Sequence, residues 1–217
     1  ISALITMEPG EKAVTMYSIY RDTNAEFVLF ASKNSLIKKT TLEEYIKTKK
    51  KTGMSAVIIR ENDALADVSL IKDEQLIVLT KNGYAIRFNS NEIATTSRNS
   101  SGVKGINLVD DEIVCVLPLR DSNDYLGLFT QNGFAKKVKL SELPAQKRGG
   151  RGINLYKVDK MTGPIIGGSL INDTDNLFIG GDKHNICISA KDITLGSKYA
   201  VGSSVIKNSR VKSITKI

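Results

Sequence analysis

Residues Gln146 to Ile153 read Q-K-R-G-G-R-G-I, three cations set among three glycines. Gly149, Gly150 and Gly152 admit positive φ and let backbone N–H groups come close to a phosphate, while Lys147, Arg148 and Arg151 bring the counter-charge. The pattern suits a phosphate backbone. It is neither G-x-x-x-x-G-K-[ST] nor a G-x-G-x-x-G between strand and helix, which argues against a mononucleotide pocket.

Other reactive side chains are sparse. His184, the single histidine, falls in a turn and is read as a turn residue, neither ligand nor base. Cys115 and Cys187 lie far apart in apolar runs with no metal-like spacing, and are read as reduced core thiols of a cytoplasmic protein. Asp110-Asp111-Glu112 sits on a tight connection and reads as solvated turn acids rather than a metal site. The tyrosines at 17, 20, 45, 84, 125, 156 and 199 have no acidic cluster beside them in sequence. No catalytic residue, metal site or bound cofactor is expected in this chain. No stretch reaches the ~20 apolar residues of a membrane span, and the N-terminus shows no export pattern.

What must position the glycine loop is a repeat. FVLFASKNSLIKKT (27–40), LIVLTKNGYAIRFN (76–89), LGLFTQNGFAKKVK (126–139) and LFIGGDKHNICISA (177–190) share one template, anchored on Ser32, Thr80, Thr130 and Gly181. Each is an apolar run, a polar turn and a second run. Asn82-Gly83 and Asn132-Gly133 predict β-hairpins with type I′ turns, both central residues at positive φ. A second unit follows each hairpin: TGMSAVII (52–59), SGVKGINL (101–108), GGRGINLY (149–156) and VGSSVIKN (201–208), small residues leading into a strand. Further strands are expected at ALITM (3–7) and VTMYSI (14–19), with a short helix over about 41–46. A period near 50 residues with about four strands each predicts an all-β radial array of four-stranded blades, with half-repeats at both ends.

Charge follows the repeat. The chain carries a formal +8, which favours a polyanionic partner. The segments 38–51, 87–104, 136–152 and 183–198 carry +4, +2, +5 and +2. One cationic position per blade traces a curved basic track. Its expected members are Lys38, Lys39, Lys49, Lys50 and Lys51; Arg87, Arg98 and Lys104; Lys136 and Lys137; and the loop Gln146, Lys147, Arg148, Gly149, Gly150, Arg151 and Gly152. The expected partner is double-stranded DNA, bound through its backbone without sequence preference and bent. A propeller whose basic rim binds an acidic protein is the competing reading, weakened by the absence of Trp.

The loop at 146–152 resembles the gyrase box, Q-R-R-G-G-K-G, and the T-x-N-G hairpins at Thr80 and Thr130 resemble the blade repeat of the C-terminal domain of type IIA topoisomerase A subunits. That resemblance covers essentially the whole chain, 1–217. It implies a β-pinwheel, a propeller relative whose neighbouring blades exchange strands. It implies a domain of a longer bacterial, nucleoid-associated protein that wraps DNA and presents it to a cleavage gate. The other domains of that protein and the ATPase B subunit would be its partners, with ATP and Mg2+ used there. Box positions two and six exchange Arg and Lys, and the box follows the third hairpin rather than standing in the first blade. Gyrase and topoisomerase IV therefore both remain open.

Overall fold

The computed structural model describes residues 7, 9–11, 13–20, 22–47, 53–119, 123–198 and 200–217. Four hairpins form where the repeats predict them: β1 (Phe27–Ser32) with β2 (Leu36–Thr41), β4 (Gln75–Thr80) with β5 (Tyr84–Asn89), β8 (Tyr125–Thr130) with β9 (Phe134–Lys139), and β12 (Asn176–Gly181) with β13 (Asn185–Ser189). A long strand follows each of them: β3 (Leu65–Ile71), β7 (Ile113–Leu119), β11 (Ile165–Ile171) and β15 (Val211–Lys216). Two-residue strands β6 (Val103–Lys104), β10 (Ile153–Asn154) and β14 (Ser203–Ser204) come from the small-residue units. Helix is confined to α1 (Glu43–Ile46) and single 3-10 turns at Ser90–Glu92, Leu140–Glu142 and Ala190–Asp192 among the described residues.

The sheets are β3-β1-β2-β6, β7-β4-β5-β10, β11-β8-β9-β14 and β15-β12-β13. Every fourth strand is supplied from beyond the next hairpin, so β6 completes the first sheet, β10 the second and β14 the third. Neighbouring blades thus exchange strands. The blades meet through their long strands, β3 against β7, β7 against β11 and β11 against β15, which puts β2, β5, β9 and the short strands at the outer edge. The architecture is all-β, four blades in a propeller arrangement.

The core lies in layers between blades rather than in one centre. Leu76 and Val78 of β4 pack with Leu29, Ile37 and Ile106 in the first layer. Ile77 and Leu79, pointing the other way, join Leu126, Val138 and Leu155 in the second. Both faces of a middle blade are therefore buried, which is why its strands read as continuous apolar runs instead of alternating ones. The third layer holds Phe129, Leu177, Ile179 and Ile206.

The turns are not the expected type I′. Gly83 (φ +84) and Gly133 (φ +85) have positive φ, and Asn82 and Asn132 do not. Gly83 N–H donates to the Thr80 carbonyl at 3.0 Å, closing a turn over Lys81-Asn82 with the glycine as the left-handed residue that follows. Thr80 and Thr130 brace these turns through hydroxyls that accept from Tyr84 N and Phe134 N. The glycine is required by strand exchange: Gly83 O accepts from Leu155 N at 2.8 Å, and a Cβ at Gly83 would overlap the Tyr156 carbonyl. Ser35 (φ +81) takes this position in the first blade, its hydroxyl bonded to the Ile106 backbone. His184 takes it in the fourth, where no fourth strand pairs with β13 among the described residues.

Two expected strands do not form. Residues 14–19 and 53–59 carry no strand pairing, and residues 3–6 lie outside the described residues. The 53–59 segment instead folds over the first blade, with Ile58 N–H donating to Ser100 O and Ala56 and Val57 packed against Val28 and Phe30.

Candidate nucleic-acid interface

Three loops on the outer edge are built alike. Each begins where a residue runs beside the outer strand of the preceding blade: Thr96 N–H donates to Lys39 O, Gln146 N–H to Arg87 O and Gly196 N–H to Lys137 O, at 2.7 to 3.0 Å. Six residues later stand Gly102 (φ +87), Gly152 (φ +74) and Gly202 (φ +83). A Cβ on Gly152 would lie 2.5 Å from the Ala85 carbonyl oxygen, and Gly102 and Gly202 press on Ile37 and Ala135 in the same way. Only glycine fits, because the loop must turn left-handed flat against the strand edge. Residues 97–101 and 147–151, and 197, 198, 200 and 201, are thereby held in register on three successive blades.

The 147–152 loop is stitched to its neighbour. Gly149 N–H donates to Gly105 O and Asn107 N–H to Gly150 O, both at 2.8 Å, and Gly150 N–H turns back to Lys147 O at 3.3 Å. These glycine N–H groups, expected to face a phosphate, are already satisfied within the protein. Arg148 is occupied as well: its N–H donates to Glu92 Oε2 at 2.8 Å, its Nε to Glu92 O at 2.9 Å and its Nη1 to Lys104 O at 2.5 Å. Lys147 and Arg151 are exposed. The Lys147 ammonium has no hydrogen bond or ion pair among the described residues, and the Arg151 guanidinium lies 5.7 Å from the Tyr84 ring. Exposed Lys104 reaches Asn107 Oδ1 at 3.3 Å. Arg98 in the preceding loop is half-buried beside Glu44, and exposed Lys198 stands at the matching place in the following loop.

Four expected rim cations are instead interior. Lys38, Lys39, Lys136 and Lys137 are 1%, 4%, 0% and 5% exposed. The Lys38 ammonium donates to the Ala56 and Arg98 carbonyls at 2.7 and 2.5 Å. Lys136 donates to Ser197 O and Ala200 O, both at 2.7 Å, and faces the Tyr156 ring at 4.9 Å. Lys39 pairs with Asp73 at 3.4 Å over Phe27, and Lys137 with Asp173 at 2.5 Å over Tyr125. Burial pulls the Lys38 amine below its ordinary value and Lys136 down to about 8. Arg87 is half-buried, its Nε bonded to Gln75. Lys49, Lys50 and Lys51 lie outside the described residues.

The buried lysines escaped sequence reading because Lys-Lys in a second strand looks like a solvated face, and nothing local says the next blade will cover it. The acids Glu44 and Glu92 were missed too, although each stands three residues past its hairpin, a phase the repeat displays. Asp111 accepts from Asn82 N and Glu112 N, and Glu112 pairs with Lys33 and Lys81, so this acidic run braces a hairpin tip. Cys115 has its thiol pushed up to about 12 by burial. Cys187, expected in the core, is instead exposed on β13, whose outer edge meets no fourth strand among the described residues.

A family model described as "DNA gyrase C-terminal domain, beta-propeller" matches residues 26–72, 74–118 and 124–162, more than half of the chain. The A subunit of DNA gyrase from Clostridium acetobutylicum is 32% identical over 99% of this chain and 26% of its own length. The A subunit of DNA topoisomerase 4 from Staphylococcus epidermidis is 28% identical over 95% of the chain and 26% of its own length. The chain thus spans about a quarter of these relatives. Among solved structures, the C-terminal domain of DNA topoisomerase IV superposes with a TM-score of 0.90 at 27% identity, over 100% of this chain and 69% of that one. The DNA gyrase A C-terminal domain gives 0.90 at 25% identity, over 99% and 73%. With its four blades, three of them completed by a strand from beyond the next hairpin, and its in-phase glycine loops, the chain belongs to the DNA gyrase C-terminal domain, beta-propeller, family.

Proposed function

We propose that this chain is the DNA-handling part of a type II topoisomerase A subunit, binding duplex DNA along its outer edge and bending it toward a cleavage gate elsewhere in the enzyme. The observation that carries this reading is the in-phase set of outer loops, so that Arg98 and Lys104, then Lys147 and Arg151, then Lys198 ride on equivalent loop segments of successive blades. Cations spaced along an edge match a phosphate backbone, and no long helix is present among the described residues to read a major groove. Binding is therefore indifferent to sequence. The remaining A-subunit domains and a separate ATPase chain would supply strand cleavage and ATP hydrolysis.

Titration of random-sequence duplex against salt tests the reading. If about six phosphates are engaged, affinity falls roughly 10³-fold between 50 and 200 mM salt. A flat response would sink DNA and favour an acidic protein partner. Bending a 20–30 bp site by 40–90° costs about 1–6 kcal/mol, recovered only by contacts on several blades. Energy transfer between duplex ends should therefore show shortening on long duplexes, and duplexes spanning one blade should bind more weakly. Straight DNA in the complex removes the bending role and leaves binding alone.

A further inference from the structure

The third residue after β2, β5, β9 and β13 is Glu44, Glu92, Glu142 and Asp192, an acid in every repeat. A carboxylate beside a cationic edge repels a polyanion, so its recurrence calls for another role. Glu44 Oε2 accepts from Arg98 N at 3.3 Å and Glu92 Oε2 from Arg148 N at 2.8 Å. Arg98 and Arg148 hold the same place in successive loops, two residues after the N–H bond to the preceding blade. In both blades the acid of one blade grips the cationic residue of the next by its backbone.

Arg148 carries this further. Its Nε and Nη1 reach the carbonyls of Glu92 and Lys104, so the guanidinium spans the crevice between two outer loops instead of facing outward. Gly149 N to Gly105 O and Asn107 N to Gly150 O complete the seam. We propose that Glu92 and Arg148 are positioning residues of the polyanion-binding edge, locking the loop at 97–105 to the loop at 147–152 so that Lys104, Lys147 and Arg151 act together on one ligand. This assignment rests on the DNA reading above. It differs from the simpler picture in which Arg148 is one more phosphate contact and Glu92 only an adverse charge.

Two substitutions separate hydrogen bond from charge. Glu92→Gln and Glu92→Ala both remove the negative charge, but glutamine keeps an oxygen for Arg148 N. Random-sequence 30 bp duplex is titrated against the 217-residue chain and each variant, well below the melting temperature measured for each. Glu92→Gln should bind at least as tightly as the parent. Glu92→Ala should bind about 2- to 10-fold more weakly than Glu92→Gln, the factor of one hydrogen bond, and exchange the Arg148, Gly149 and Asn107 amides faster. Equal or tighter binding by Glu92→Ala overturns the proposal while leaving the DNA reading intact. Arg148→Lys gives a second test that does not depend on folding of the Glu92 variants. A lysine supplies the same charge from a single nitrogen on a flexible stem, not the fixed planar fork whose separate nitrogens reach Glu92 O and Lys104 O, so weak binding should persist; full recovery relative to Arg148→Ala makes Arg148 a direct contact and overturns the proposal. Absence of salt-dependent binding by the parent chain removes the DNA reading and this assignment with it.

Discussion

The second blade and its neighbours hold their outer loops by different means. In the first and third blades a lysine at the third position of the second hairpin strand is buried and donates to the loop that crosses it, Lys38 to Arg98 O with a second bond to Ala56 O of the 53–59 segment, and Lys136 to Ser197 O and Ala200 O. In the second blade Ile86 occupies that position, fully buried. The loop crossing it is the glycine-rich one, and Gly150 lies over Ile86, where a Cβ would make ordinary contact with Ile86 Cδ1 at 3.5 Å. An ammonium needs carbonyls turned toward it, and an isoleucine needs a loop with little side chain and polar groups satisfied elsewhere. The seam through Arg148, Glu92 and Gly105 meets the second demand. Of the three glycines Gly152 thus serves close approach to the blade, and Lys147 and Arg151 are the cations left for a ligand.

The largest expected effect concerns what the three loops share. Gly152→Ala and Gly202→Ala each force a Cβ against a strand carbonyl at a positive φ, and should cost more than about 3 kcal/mol in chemical denaturation. Gly149→Ala, whose Cβ would meet nothing nearer than 3.8 Å, should cost only about 1 kcal/mol from its φ of +79. Equal losses at 149 and 152 would break the distinction between glycines that fit the strand edge and glycines that merely turn.

Lys136→Met against Ile86→Met sharpens the comparison itself. Relief of a desolvated charge offsets the lost hydrogen bonds at 136, so global stability should move by less than about 1.5 kcal/mol in both. Amide exchange of Ala200, however, which donates to Ser197 O, should accelerate roughly tenfold only in Lys136→Met, the factor of one net hydrogen bond. Unchanged exchange would make the buried ammonium a packing residue and nothing more.

Stability against pH reads the same lysine. Lys136 titrates near 8 when folded and near 10.5 otherwise, so the folded state gives up its proton first. Between these values the unfolded chain holds more protons, and stability rises with pH. Tyr156, its hydroxyl pushed up to about 12 by burial, acts oppositely above about pH 10. From about pH 8 to 10 the parent should gain stability relative to Lys136→Met, measured by denaturant midpoint. A parallel pair of curves would place the ammonium in water.

The smallest effect is at the outward cation. Lys147→Ala should leave stability within about 0.5 kcal/mol of the parent and lower the slope of log affinity against log salt by about 0.9. An unchanged slope would remove Lys147 from the proposed DNA-binding edge.

Hairpins, period and in-phase loops were legible because each rests on neighbours in sequence. Apolar runs split by a polar turn form hairpins, and the anchor hydroxyls of Ser32, Thr80 and Thr130 recur because each accepts from the backbone N–H four residues on. The basic phase of the repeat was equally plain, and the glycine loop does fall on the outer edge. Which cations reach solvent was not legible. Lys38 and Lys136 become interior only when the following blade's loop is laid over them, and Arg148 turns inward only because Lys104 O and Glu92 O arrive from segments 44 and 56 residues away. Likewise 14–19 and 53–59 have strand-like composition but find no edge to pair with among the described residues, and a strand exists only through its partner. The repeating unit and the places of its turns were written into the chain itself, since local sterics and hydrogen bonding set them. Strand exchange, the burial of four lysines and the division of the loop's cations into those that hold the protein together and those that face outward arose only on folding, because each depends on contacts between neighbouring blades.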